Sequence, residues 1–159
     1  MDRATDAKFM ALAFDKTIEG IENGQTPFGA CIVKDGAVVA CAHNVVWATT
    51  DITAHAEVNA IRQACKALNA IDLGGCTLYS TCDPCPMCFS AIHWAKITRV
   101  VFGARIEDAQ TAGFSELSIS NETMKKLGGS PVLIDADFDR AKNATLFATW
   151  LSRKDRRAY

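Results

Sequence analysis

Cys76-Thr77-Leu78-Tyr79-Ser80-Thr81-Cys82-Asp83-Pro84-Cys85-Pro86-Met87-Cys88 is the stretch on which the fold turns. Gly74-Gly75 closes a turn ahead of it, and residues 76–80 read as a strand. Residues 81–84 form a tight connection, and a helix is expected over 85–95. Another strand follows at 99–103. A strand, a helix and a strand in succession are the unit of an α/β sheet, and strands joined through helices can lie parallel.

The same reading extends in both directions. Residues 5–22 place Phe9, Leu12, Ala13 and Ile18 at helical spacings, and the Asn23-Gly24 and Pro27 positions break that helix. Residues 28–33 and 38–42 are apolar runs joined by Lys34-Asp35-Gly36, a hairpin signal that predicts an antiparallel pair. Residues 45–53 read as a loop. Residues 55–68 read as a helix with Val58, Ile61, Ala64, Cys65 and Leu68 on one face. A short helix is expected at 107–112, a weak fifth strand at 132–134, and a last helix from 137 to about 153 carrying Phe138, Leu146, Phe147 and Trp150. The expectation is a three-layer α/β/α domain around a mixed sheet of five strands.

Composition sets outer bounds. The 159 residues are 49% hydrophobic and 22% charged, enough for one domain with a full-sized core. A net charge of −1 gives no general attraction to nucleic acid or anionic membrane. No apolar run would span a bilayer, and residues 1–8 lack the apolar core of a signal peptide, so the expected compartment is the cytoplasm. Seven cysteines, an odd number, argue against a disulfide framework. Cys31, Cys41, Cys65 and Cys76 stand singly in apolar or periodic segments and read as small buried hydrophobes.

The chemistry is concentrated in Thr53-Ala54-His55-Ala56-Glu57 and in Pro84-Cys85-Pro86-Met87-Cys88. Cys85 and Cys88, three apart in a first helical turn, can aim both sulfurs at one point. Helix N-termini favour thiolate over thiol. His55 also stands at a predicted helix start. One imidazole and two thiolates suit zinc, and three protein ligands rather than four mark a catalytic site with a position open for water. Glu57, two residues beyond His55, is placed to carry protons without ligating. Each half is weak alone: His-x-Glu is common, and Pro-Cys-x-x-Cys also fits structural zinc half-sites and redox pairs. Cys82 makes the run Cys-x-x-Cys-x-x-Cys, but the fourth cysteine of a typical iron–sulfur run is missing. Cys82 is expected at the strand end, outside the ligand set. The two halves together match H-x-E…P-C-x-x-C, the pattern of zinc-dependent base deaminases.

These blocks, with Thr26-Pro27-Phe28-Gly29-Ala30, resemble the cytidine deaminase-like superfamily. Ala112-Gly113-Phe114 and the terminal Tyr159 resemble its small bacterial guanine deaminase branch. The resemblance runs from about residue 26 to 113 and is looser over the last forty residues. It implies one zinc-dependent deaminase domain over residues 1–159, with 137–159 forming a C-terminal helix and a tail that covers the active site. It further implies Zn2+ held by His55, Cys85 and Cys88, with Glu57 as proton carrier. Glu116 stands where that branch has a second acidic residue for proton transfer; relatives often carry aspartates after the Phe, and a solvated surface Glu is the alternative. Phe28 would pack on the base, Asn44 would pair with its edge, and Ala56, Trp94 and Tyr159 would line or cover the pocket. Core packing competes for Phe28 and Trp94, turn capping for Asn44, and fraying for Tyr159. His93 carries no metal role.

The reaction implied is hydrolysis of guanine to xanthine and ammonia, a step of purine catabolism at the C–N bond of a cyclic amidine. Alternatives keep the chemistry and change the ligand: guanosine, another aminopurine, an aminopyrimidine or an aminotriazine. A tRNA adenosine deaminase would need a basic groove; Arg153, Lys154, Arg156 and Arg157 form one local basic cluster. A non-catalytic zinc module would need a fourth ligand. The expected partners are a small nucleobase and a second copy of the chain, with the C-terminal segment exchanged in some relatives; membrane is not expected, and nucleic acid is disfavoured.

Overall fold

A computed structural model describes residues 2–159. Helix α1 spans Arg3–Glu22, and strands β1 (Gly29–Lys34) and β2 (Ala37–His43) form the hairpin. Next come α2 (Val46–Thr49), α3 (Ala56–Leu68), β3 (Thr77–Cys82), α4 (Pro86–Trp94) and β4 (Arg99–Ala104). The chain ends with α5 (Ile106–Thr111), α6 (Asn121–Gly128), β5 (Leu133–Asp135) and α7 (Arg140–Leu151). The sheet order is β2-β1-β3-β4-β5. Strand β1 is antiparallel to both β2 and β3, whereas β3, β4 and β5 run parallel. The sheet is mixed, as expected. No described helix is long and apolar enough to cross a membrane.

The hairpin turn follows from two residues. Asp35 and Gly36 both have positive φ, 50° and 76°, with Lys34 paired to Ala37. A two-residue turn with both centres left-handed matches the strand twist, and Asp-Gly supplies it cheaply. The sheet is covered on both faces. Alternation sends Cys31 and Val33 of β1, with Tyr79 and Val101, towards Phe9, Met10 and Ala13 of α1 and Phe138. Ala30, Ile32, Leu78 and Val100 point the other way, towards Ala60 and Ala64 of α3 and Ile92 of α4. Burial on both faces is why these strands read as continuous apolar runs.

Close approach sets one glycine. A Cβ at Gly29 would stand 2.3 Å from the Thr17 hydroxyl and 2.5 Å from the Ala13 carbonyl oxygen. Only glycine lets α1 lie this near the start of β1. At the other edge, Asp6 of α1 is bonded by the Arg99 guanidinium at 2.7 and 2.8 Å and by the Tyr79 hydroxyl at 2.7 Å. Arg99 also meets Asp135, so a single polar cluster ties α1 to β3, β4 and β5.

Two elements differ from the sequence expectation. Residues 46–49, expected as loop, make one helical turn closed by a left-handed Thr50 (φ 52°). Residues 121–128, not anticipated as an element, form α6, capped by the Ser120 hydroxyl accepting from the Thr123 N–H. Elsewhere, boundaries move by a few residues.

Candidate active site

His55 and Cys85 are the residues immediately before α3 and α4, both in extended backbone at the N-cap. Pro86 occupies the next position of α4, where its missing N–H costs nothing and its fixed φ suits the helix. Cys88 follows one turn in, fully buried. Thr53 and Asn59 fix the approach to His55. The Thr53 N–H and hydroxyl donate to Asp51 at 2.8 and 2.6 Å, and the Asn59 amide donates to the Ala54 carbonyl at 3.0 Å.

The result is a compact donor set. His55 Nδ1 lies 3.6 Å from Cys85 Sγ and 3.5 Å from Cys88 Sγ, and all three ligand atoms fall within 4.8 Å of one another. A tetrahedron with zinc–nitrogen near 2.0 Å and zinc–sulfur near 2.3 Å has an N···S edge of about 3.6 Å. The residues therefore fit a zinc ion by separation as well as by donor type. Among the described residues no fourth His, Cys, Asp or Glu joins this group. Cys82 is buried with its sulfur 3.6 Å from the Arg105 carbonyl oxygen, so it stands apart, as expected. Zinc takes both sulfurs as thiolates, and Cys85 is the one already held low before the metal binds. The Cys88 S–H donates to it and His55 adds to the effect, together pulling Cys85 down to about 4 against the opposing effect of burial.

Glu57 occupies the second position of α3 and is 5% exposed. Ser80 of β3 donates its hydroxyl to Oε1 at 2.9 Å. Burial and then the negative charge of Cys85 raise the Glu57 carboxyl above its ordinary range. Beside the ligands lies a cavity of about 300 Å³ lined by Ile52, His55, Cys85, Phe114, Glu116 and Tyr159, among others. That is the lower end of ordinary small-molecule sites. Glu116 reaches it with Oε2 buried and unpartnered. Burial, Cys85 and Glu57 push its carboxyl up to about 8. The solvated alternative for Glu116 is thereby set aside.

Asn44 is fully buried just past β2. Its carbonyl oxygen accepts from the Val46 N–H at 3.0 Å, which fixes the amide orientation. Its amide nitrogen donates to the Tyr159 hydroxyl at 2.6 Å. Asn44 thus presents its donor end rather than both a donor and an acceptor. The Tyr159 ring sits 5.7 Å from the His55 imidazole and 6.0 Å from Phe114. The tail is pinned two residues earlier: Trp47 Nε1 donates to the Arg157 carbonyl at 2.9 Å, and the Arg157 guanidinium lies 4.5 Å over the Trp47 ring. The C-terminus is therefore folded onto its own chain's cavity.

Phe28 is buried edge-on against Phe114 at 4.9 Å and Phe147 at 5.8 Å, one ring behind the cavity wall. Ala56 is buried at the first position of α3, where N–H groups lack an intrahelical acceptor. Trp94 does not line the cavity. It is the last residue of α4, 83% exposed, beside a separate surface groove with Lys96, Pro131 and Leu133. Nine helical residues past Cys85 turn the side chain to the opposite face and carry it about 13 Å away. His93 meets the Ser130 hydroxyl at 3.0 Å, away from the ligands. Ser80 and Trp47 were not anticipated from the sequence; only the tertiary fold gives them their partners.

Residues 3–104 match the model of the cytidine and deoxycytidylate deaminase zinc-binding region. The chain belongs to that family of zinc-dependent deaminases, and the cofactor is Zn2+. It is 48% identical over 118 residues to the guanine deaminase of Bacillus subtilis, covering 74% of this chain and 76% of that enzyme. The crystal structure of that protein superposes with a TM-score of 0.66 over 67% of this chain and 69% of its own. The tRNA-specific adenosine deaminase of Aquifex aeolicus is 44% identical over 60% of this chain and 64% of its own. A guanine deaminase structure from Nitrosomonas europaea is 25% identical, covers 91% of this chain and 84% of its own, and superposes with a TM-score of 0.83.

Proposed function

We propose that this deaminase acts on a free nucleobase, and that the base is guanine, hydrolysed to xanthine and ammonia. The observation that carries this reading is the roof of the cavity. Tyr159 closes the space beside the zinc ligands by bonding the buried Asn44 amide at 2.6 Å, which leaves room for a flat heterocycle. A base within a folded RNA would have to enter through that roof. The similarity to the guanine deaminase of Bacillus subtilis supports the same choice.

His55, Cys85 and Cys88 hold the metal, which when bound supplies a water of lowered pKa as nucleophile. Glu57 would carry two protons in turn, the first to ring nitrogen and the second to the departing amine, both drawn from the attacking water. A carboxyl raised by burial suits this two-way traffic near neutral pH. The Ser80 hydroxyl keeps Glu57 in one rotamer. Glu116, its carboxyl raised by burial, serves as second acid at the purine edge. Phe114 offers a ring to the base face, with Phe28 packed behind it; a flat ring gains about 1–3 kcal/mol by such stacking. The Asn44 amide donates to a purine acceptor, sharing it with the Tyr159 hydroxyl. Ala56 opens α3, so its N–H has no intrahelical acceptor and is free to meet the substrate. The chain is expected to work as a homodimer, which light scattering of the zinc-loaded protein measures directly.

The second reading is a tRNA adenosine deaminase, favoured by the 44% identity to the Aquifex aeolicus enzyme. Ammonia release from guanine, guanosine, adenine, cytosine and a tRNA anticodon stem-loop separates the two. Turnover of guanine above the others supports the proposal; turnover of the stem-loop alone replaces it.

A further inference from the structure

Cys31 of β1 and Cys41 of β2 are direct partners in the antiparallel register. The Asn44 N–H donates to the Phe28 carbonyl at 3.0 Å, which makes 28 and 44 a hydrogen-bonded pair. Pairs alternate along an antiparallel ladder, and the register is unbroken from there to 31 and 41. Cys31 and Cys41 therefore fall in the narrow, non-hydrogen-bonded class, where Cα atoms stand about 4.5 Å apart and side chains on one face approach closely. That separation lies within the range a disulfide spans, about 4.4–6.8 Å. Both side chains point to the α1 face, where Cys41 packs against the cluster containing Cys31.

The two thiols are not equivalent. Cys31 is fully buried. Cys41 is half-buried and lines a solvent-facing recess shared with Lys16 and His43. The neighbouring Cys31 thiol and the Lys16 ammonium hold Cys41 below the ordinary thiol range against some burial. The other unligated cysteines, Cys65, Cys76 and Cys82, have no cross-strand cysteine opposite them.

We propose that Cys31 and Cys41 are a peroxide-reactive dithiol, Cys41 attacking and Cys31 resolving, that oxidises to a cross-strand disulfide. The co-reactant is a hydroperoxide such as hydrogen peroxide. The Cys41 sulfur attacks one peroxide oxygen and the O–O bond breaks. Hydroxide leaves and is protonated to water by the proton lost from Cys41, which becomes a sulfenic acid. The Cys31 sulfur then attacks the Cys41 sulfur; the S–O bond breaks, the S–S bond forms, and the leaving hydroxide takes the Cys31 proton as a second water. Two electrons pass from the two thiols to the peroxide. The cross-link ties together the strands whose ends carry Phe28 and Asn44. It stands independently of which base the enzyme uses.

The test is peptide mapping by mass spectrometry of zinc-loaded protein exposed to hydrogen peroxide, with remaining thiols alkylated. The expected result is a peptide pair joined through Cys31 and Cys41 with loss of two hydrogens, while the Cys85 and Cys88 peptides still retain zinc-protected thiols. In Cys31→Ala, Cys41 stops at the sulfenic acid and is trapped by dimedone; in Cys41→Ala, Cys31 stays a thiol. Zinc content confirms that both variants fold. Free Cys31 and Cys41 thiols after Cys85 and Cys88 have oxidised would overturn the proposal. So would sulfinic acid at Cys41 without the disulfide in the wild type, a result that depends on no variant.

Discussion

Glu57 and Glu116 are two carboxyls close to the metal ligands, Glu116 lining the cavity and Glu57 buried beside it, and their environments differ. Glu57 is held by Ser80 at 2.9 Å, whereas Glu116 has a buried oxygen with no hydrogen-bond partner. Glu57→Gln keeps the volume and removes the titrating group. Turnover is expected to fall by about 10²–10⁴-fold with zinc content unchanged, as measured by ammonia release beside metal analysis. Glu116 is pushed up to about 8, so it carries its proton below that pH and loses it above. If it acts as an acid, kcat/KM declines as pH rises through that value, and a bound divalent cation moves the limb lower by favouring the carboxylate. The alkaline limb should vanish from the pH profile of Glu116→Gln; an unchanged profile would remove Glu116 from the chemistry. The three metal ligands and Glu57 were legible in sequence because their spacing is local: two helix starts supply all four. Trp94 was misplaced because resemblance gave it a position in the chain but not a helical phase. Ser80 had no local signal, since it looks like any other strand serine until β3 is set beneath α3.

The hairpin of β1 and β2 was readable from Asp35-Gly36, since only left-handed residues make that turn well. The helices α2 and α6 were not read from the sequence because they are short, four and eight residues; the Ser120 cap marks the start of α6. Helix α2 matters beyond its length because it presents Trp47 to the tail. Trp47→Phe keeps a ring but loses the donor to Arg157. Loss of such a bond costs about 1 kcal/mol, so KM for the base should rise roughly fivefold with little change in melting temperature. Deleting residues 156–159 should raise KM further and leave the far-ultraviolet circular dichroism intact. A tail that only frays would leave kinetics unchanged in both variants. Where α1 crosses β1, Gly29→Ala forces a methyl against Thr17 and Ala13. Denaturant unfolding should show a loss of about 1–3 kcal/mol, as for other overpacked sites.

At the scale of the molecule, one polar cluster and one metal join distant parts. Asp6 is 4% exposed, and the Arg99 hydrogen bonds hold its carboxyl below the ordinary value. A depressed carboxyl contributes stability that is fully present above the unfolded value of about 3.8 and is lost as pH falls through the folded value. Asp6→Asn leaves Arg99 partly unpaired, and a loss of about 3 kcal/mol is expected, with weaker acid dependence than the wild type below pH 4. The mixed sheet and its layers were legible from the strand and helix order; the β2-β1-β3-β4-β5 order was not, because the antiparallel β1–β3 pairing joins elements far apart in sequence. The zinc site closes α3 onto α4, so chelation should lower the melting temperature as well as abolish turnover.

The most direct test combines two readings on one preparation: zinc per chain, and ammonia released from guanine, for wild type and Glu57→Gln. One zinc in each protein, with ammonia released by the wild type alone, is the predicted result. A wild type that binds no zinc when it is supplied, or a variant that releases ammonia at the wild-type rate, would contradict the account.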